Sequence, residues 1–171
     1  RAIFSDTNPY IIQFYKDIQS KKITSKTVRT FLENEATKLS STPADKTSYY
    51  YEVRDRFNEE HSSLDFLFLQ RSNFNGMIRF NNKGNYNVPF GRKPERFQKA
   101  LITKIVNQVA WVEKIMKGKD WQFICMPFTE AFKMMKENDF VYLDPPYIDR
   151  YDGYYDSWSE EYAVLLAELT Q

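Results

Sequence analysis

Two consecutive prolines, Pro145 and Pro146, close a short apolar run, Phe140-Val141-Tyr142-Leu143. Asp144 stands between the run and the prolines, and Tyr147 follows them. Proline has no backbone N–H and a fixed φ, so neither a central ladder nor a helix continues through this point. The run therefore reads as a buried strand that stops at a rigid turn. Open α/β sheets bind their ligands at strand ends of this kind. The corner offers two acceptors, the Asp144 carboxylate and the Pro145 carbonyl, and Tyr147 adds a flat face for stacking. Together they suit the gripping of a planar amino group. Acidic-Pro-Pro-aromatic strings also occur in ordinary loops, so the surroundings must decide.

The first surroundings are at the N-terminus. Ala2-Ile3-Phe4 is a short apolar run, and Asp6 or Asn8 in the following turn can cap a helix over residues 9–19 with Pro9 in its first turn. That strand-loop-helix unit belongs to α/β folds. Residues 21–70 read as polar helices: one opening near Thr24 with Val28, Phe31 and Leu32 inward, one over 46–60, and one over 62–70. The texture then changes. Asn73 to Phe80 and Tyr86 to Gly91 alternate like strands around a turn-rich Asn81-Asn82-Lys83-Gly84-Asn85, which predicts a β-hairpin. Its asparagines, glycines, arginines and aromatics suit contact better than core. Residues 97–117 return to helix, 121–126 to strand and 129–136 to a short helix. Ser157 with Glu160 predicts a capping box for a closing helix.

Charge separates along the chain although the formal net is only +1. Eight basic residues against Glu95 give residues 71–104 a net of +7, while residues 144–171 carry −6. A basic block beside an acidic one suggests a polyanion-facing surface next to a catalytic one, or two ordinary solvated faces. Cys125, the one cysteine, reads as a small core residue, and His61, the one histidine, as a surface or cap residue. One of each does not suit a zinc site, so no metal is expected. No run approaches the length of a membrane span and no signal-peptide pattern opens the chain, so a soluble, cytoplasmic protein is expected. Arg1 in a strand-like run and Gln171 in a helix-like one read as internal to a longer chain.

Three blocks carry a resemblance. Phe4-Ser5-Asp6-Thr7-Asn8-Pro9-Tyr10-Ile11-Ile12, the hairpin from Phe74 to Arg92, and Asp144-Pro145-Pro146-Tyr147 are similar, in this order, to motifs of the Dam-type, alpha-group DNA adenine-N6 methyltransferases. The hairpin is the most specific of the three. The resemblance implies an α/β fold: a partial Rossmann-like S-adenosylmethionine-dependent methyltransferase domain over residues 1–20 and 106–171. Into it is inserted a helical and β-hairpin target-recognition domain over 21–105, with the DNA-reading hairpin at about 73–92. The lysine-bearing motif and Phe-x-Gly-x-Gly loop with which the family opens are not among these residues. Weak or absent cofactor binding by the chain as it stands is the consequence expected.

The implied activity is transfer of a methyl group from S-adenosylmethionine to adenine N6 in double-stranded DNA after base flipping. A GATC-like target site is implied by the hairpin. Asp144, Pro145, Pro146 and Tyr147 would be catalytic. Asp6, Phe128, Glu130 and Asp144 would meet the cofactor, Asp6 at the ribose hydroxyls and Phe128 at the adenine ring. A helix cap for Asp6 and plain core packing for Phe128 are the bland alternatives. Phe74, Asn75, Met77, Arg79, Pro89 and Arg92 would contact DNA, with Arg79 placed to read a guanine. Lys83, Lys93, Arg96 and Lys99 would meet phosphates. Restriction-modification, with a cognate endonuclease sharing the target site, is one setting for such an enzyme. Two alternatives stay open: a non-catalytic, sequence-specific DNA-binding fragment, and cytosine-N4 transfer, which needs a similar grip on an amino group.

Overall fold

The computed structural model describes residues 1–41, 48–146 and 158–170. Strand β1 (Ala2–Asp6) leads into helix α1 (Pro9–Gln19). Asn8 makes that entry sharp: its Oδ1 accepts from the backbone N–H groups of Tyr10 at 2.9 Å and Ile11 at 3.3 Å, and Pro9 takes the first helical position. Of the two caps the sequence offered, Asn8 takes the helix. Asp6 instead accepts the Asn8 N–H at 2.6 Å.

Helices α2 (Ser25–Ser41), α3 (Ser48–Glu60) and α4 (Ser63–Ser72) follow, then a 3-10 turn (Pro94–Phe97) and α5 (Lys99–Met116). Val28, Leu32, Glu35 and Leu39 repeat at helical spacing and are the buried residues of α2. Tyr50, Val53 and Phe57 of α3 and Phe66, Phe68 and Leu69 of α4 complete that core. It runs without a break into Ile12 and Ile18 of α1, Ile102, Val106 and Val109 of α5, and Phe123. Strand β2 (Trp121–Cys125) returns beside β1 in parallel, in the register Ala2↔Trp121 through Asp6↔Cys125. Their C-terminal ends thus stand side by side. Helices α6 (Phe128–Phe132) and α7 (Glu160–Leu169) finish the described structure. The fold is mixed α/β, with a small parallel sheet and seven α-helices among the described residues. None of these helices is long and apolar enough to cross a membrane.

Carboxylates buried between helices are all partnered. Asp17 of α1 accepts Ser63 Oγ at 2.7 Å and so ties α1 to α4. Arg56 of α3 grips Asp65 through Nε at 2.8 Å and through Nη2, and Nη2 also reaches Glu35 of α2 at 3.4 Å. Burial pushes the Glu35 carboxyl up, but hydrogen bonds from Tyr49 and Lys38 outweigh it and hold it below the usual carboxylate range.

Four expectations need correction. Residues 140–143 are not a strand: Phe140 is 91% and Tyr142 78% exposed. A strand takes its structure from neighbours, and the ladder formed by β1 and β2 does not extend to this run. The segment 73–92 pairs antiparallel through two isolated bridges, Asn73↔Phe90 and Phe80↔Tyr86, rather than through continuous strands. Asn75 and Gly76 at positive φ, and Pro89 without an N–H, interrupt the ladder. Cys125 is exposed because it stands at the open end of β2, where its Sγ donates to the Thr7 carbonyl at 3.4 Å. Finally, Ser159 rather than Ser157 caps α7, accepting the Tyr162 N–H at 3.3 Å. Ser157 lies outside the described residues. His61 matches the surface reading, ending α3 at φ 54° with Nδ1 3.0 Å from the Phe57 carbonyl.

Candidate functional site

Three distant stretches of sequence meet in one cleft of about 740 Å3. The first is the end of β1, which contributes Ser5, Asp6, Thr7 and Asn8. The second is the tip of the 73–92 segment, with Gly76, Met77 and Ile78. The third is the proline corner, with Asp144, Pro145 and Pro146. The end of β2 adds Met126, Pro127 and Phe128, and α7 adds Tyr162 and Leu166 with Trp158 just before it. The cleft lies beyond the C-terminal ends of two parallel strands, where open α/β sheets leave room for ligands. Asp144 and Pro145 are exposed in it and Pro146 is half-buried. Asp6 and Asp144 both line the cleft, and no lysine or arginine does among its described lining residues. Such a wall favours cations and hydroxyl or amino donors and repels phosphate.

The proline corner and Asp6 come together in this cleft, and Phe128 joins them. Tyr147 lies outside the described residues. Glu130 is exposed on α6, bonded to Lys133 at 2.6 Å, and is not among the cleft's lining residues.

The 73–92 segment is fastened by side chains where its ladder is missing. Tyr86 is buried, and its hydroxyl donates to the Met77 carbonyl at 3.2 Å. The same hydroxyl accepts from Asn73 Nδ2 and from Gln70 Nε2 at 3.3 Å. Asn73 Nδ2 also donates to the Met77 carbonyl at 2.6 Å. Asn58 of α3 brackets the Tyr86 backbone, accepting its N–H at 2.7 Å and donating to its carbonyl at 3.2 Å. Tyr50 of α3 donates to the Val88 carbonyl at 2.7 Å. Burial pushes the Tyr86 phenol up to about 12 and the Tyr50 phenol up as well. Gly91 passes so close to the Asn73 carbonyl that a Cβ there would collide with backbone. None of these anchors stands out in the sequence. Glycine's use at close backbone approaches is the one available signal, at Gly91.

Of the expected DNA contacts, Phe74, Asn75, Pro89 and Arg92 are exposed, and Met77 faces the cleft. Arg79 is half-buried. Its Nε donates to Asn87 Oδ1 at 2.8 Å and Nη2 to the Asn87 carbonyl at 3.1 Å, which orients the guanidinium. Lys83, Lys93 and Lys99 are exposed. Arg96 differs: its Nη1 donates to the carbonyls of Asn73 at 2.9 Å and Arg71 at 3.4 Å, so it holds the base of the segment.

Comparison with known proteins points the same way. The chain is 29% identical over 177 residues to the Retron Ec67 DNA adenine methylase of Escherichia coli, covering 99% of this chain and 56% of that protein. It is 31% identical over 153 residues to a DNA adenine methylase of Vibrio cholerae, covering 86% and 49%. It is 30% identical over 157 residues to the Type II methyltransferase M.FokI of Planomicrobium okeanokoites, covering 91% and 23%. The chain thus spans about half the length of the first two relatives, and less of the third. One family description, D12 class N6 adenine-specific DNA methyltransferase, matches it over residues 1–171. Because that match runs the whole length, through both strand ends, the hairpin segment and the proline corner, the chain belongs to the D12 class N6 adenine-specific DNA methyltransferase family.

Proposed function

We propose that this chain carries the site at which a methyl group passes from S-adenosylmethionine to adenine N6 in duplex DNA after base flipping. The observation that carries the reading is the shared cleft: the proline corner, Asp6, Phe128 and the tip of the hairpin segment line one cavity. Residues 1–20 and 106–171 act as a Rossmann-like methyltransferase domain, and residues 21–105 as the target-recognition domain.

The adenine amino group is a weak nucleophile because its lone pair is delocalised into the ring. The Asp144 carboxylate accepts a hydrogen bond from one amino N–H and the Pro145 carbonyl from the other, which favours a tetrahedral nitrogen and localises the lone pair. Both acceptors are exposed to the cleft, and the proline ring keeps the corner rigid. The base must leave the duplex to reach them. Tyr147 stacks on it. Asp144 acts by holding the amino protons and need not be a strong base, since a methylated amine sheds its proton readily.

S-adenosylmethionine fits the cleft's donor set, and when bound it supplies an electrophilic methyl on a sulfonium. Asp6 holds the ribose hydroxyls, Phe128 meets the purine, and a wall with two carboxylates and no cation among its described lining residues accommodates a positive centre. Glu130, already neutralised by Lys133, is left out of this set. On the DNA side, Arg79 presents the guanidinium edge that Asn87 leaves open to a guanine. Phe74, Asn75, Met77, Pro89 and Arg92 surround the opened site, and Lys83, Lys93 and Lys99 meet phosphates.

The test is transfer of labelled methyl from S-adenosylmethionine to duplex DNA with and without GATC sites, followed by digestion to nucleosides. Label in N6-methyladenine is expected. Label in N4-methylcytosine would overturn the base assignment. Sequence-selective duplex binding without transfer would leave the non-catalytic reading. The hairpin segment would keep its shape in that case, because Tyr50 and Asn58 of α3, which anchor it, do not line the cleft.

A further inference from the structure

One aromatic pair joins two of the stretches that form the cleft without lining it. Tyr10, in the first turn of α1, lies face to face with Phe80 of the hairpin segment, their ring centroids 5.0 Å apart and their planes at 18°. Phe57 of α3 meets the Tyr10 ring edge-on, also at 5.0 Å. Neither Tyr10 nor Phe80 is among the described residues that line the cleft. Each is tied to a residue that is given a role above. Phe80 directly follows Arg79. The Tyr10 N–H donates to Asn8 Oδ1 at 2.9 Å, and the Asn8 N–H donates to Asp6 Oδ1 at 2.6 Å. A single stack therefore connects the arm that carries the guanine reader to the turn that aims the ribose acid.

We infer that Tyr10 is a positioning residue for methyl transfer: through Phe80 it ties the Arg79 arm to the Asp6 turn, so that duplex DNA and the adenosyl cofactor strengthen each other's binding. The inference rests on the roles proposed above for Arg79 and Asp6. A guanine bonded to Arg79 stills its arm and fixes Phe80. Stacked rings cannot slide without losing contact, so the first turn of α1 is fixed as well. Part of the ordering that the cofactor would otherwise impose on Asp6 has then already taken place. The opposite order of binding gives the same factor, because coupling between two sites is reciprocal. Plain core packing is the alternative role for Tyr10. Both sides are secured without it, however. Asp17 and Ser63 tie α1 to α4, and Tyr50 and Asn58 hold the hairpin segment on α3. Loss of the stack thus uncouples the two sides without dismantling either.

The experiment measures, by calorimetry on the full chain, the affinity for S-adenosylhomocysteine with and without a saturating amount of the duplex it binds most tightly. In wild type the duplex should tighten the probe by roughly 3- to 10-fold, the range that one stacked aromatic pair supports. The probe should tighten the duplex by the same factor. Tyr10→Leu and Phe80→Leu should each bring that factor close to one, and Tyr10→Phe, which keeps the ring, should preserve it. No mutual tightening in wild type overturns the inference alone, and this needs no variant to fold. An undiminished factor in the leucine variants overturns it too, whether or not each ligand alone binds more weakly, because that is the mark of core packing. Loss of the factor in Tyr10→Phe would move the effect to the hydroxyl and overturn the stack. A wild-type chain that binds duplex but never the probe overturns the inference together with the cofactor reading.

Discussion

Replacing Tyr86 with phenylalanine removes one oxygen from the place where the hairpin segment is tied together, and the cost can be worked from its partners. The hydroxyl is buried and makes three hydrogen bonds, to the Met77 carbonyl, Asn73 Nδ2 and Gln70 Nε2. Two of these partners survive its loss. The Met77 carbonyl keeps its bond from Asn73 at 2.6 Å, and Gln70, half-buried, reaches water. The third does not: one N–H of the Asn73 amide is left buried without a partner, and Asn73 Oδ1 already has none among the described residues. The expected destabilisation is therefore about 1–3 kcal/mol, that of one orphaned buried donor. For a chain of this size that lowers Tm by about 2–4 °C per kcal/mol. Urea unfolding of Tyr86→Phe beside wild type measures it. The raised phenol adds an independent readout. A folded-state pKa of about 12 against 10.0 unfolded means this contribution is whole below pH 10 and lost as pH rises toward 12. The alkaline loss should be smaller in Tyr86→Phe. A change under about 0.5 kcal/mol at neutral pH, within the range of surface substitutions, would refute the bonding scheme.

Arg56→Met leaves the Asp65 carboxylate buried without its cation while Glu35 keeps Lys38, and because the Arg56 side chain is 35% exposed and water screens the pair, the cost should be about 1–3 kcal/mol in thermal or urea unfolding. The same cluster predicts acid sensitivity. Because the folded-state pKa of Glu35 is depressed, its contribution is present above 4.5 and lost as pH falls through the lower folded value. Gly91→Ala forces a Cβ into the Asn73 and Ser72 carbonyls and should cost about 1–3 kcal/mol by unfolding, with no rescue from side-chain rotation because the obstacle is backbone. Arg79→Ala should lower discrimination between DNA sites by about 1–3 kcal/mol in competition binding. An equal loss on every sequence would make it a phosphate contact.

The residues that make secondary structure from local chemistry are legible in the amino-acid sequence. Asn8-Pro9 at the entry to α1 and the apolar spacing of α2, α3 and α4 use rules that act within one or two turns of chain. The residues at 140–143 are not, because a strand exists only through a partner and apolar letters do not say whether one is present. The hairpin segment is half legible. Its alternation marks the two antiparallel arms, but not that Asn58, Tyr50 and Tyr86 replace a ladder that Asn75, Gly76 and Pro89 interrupt. Arg96 reads as a phosphate partner because charge is visible in a sequence and the carbonyls of Asn73 and Arg71 are not. The meeting of Asp6, Phe128 and Asp144 in one cleft is implied only through the family resemblance; spacing alone does not bring residues more than 100 positions apart to one cavity.

The central claim is that the proline corner holds the amino group of an extruded adenine, and Asp144→Ala tests it most directly. Labelled methyl transfer and duplex binding should be measured side by side on wild type and variant. Loss of transfer with nearly unchanged DNA affinity and unfolding midpoint is the predicted result. Undiminished transfer, or parallel loss of transfer, DNA binding and stability, would contradict it.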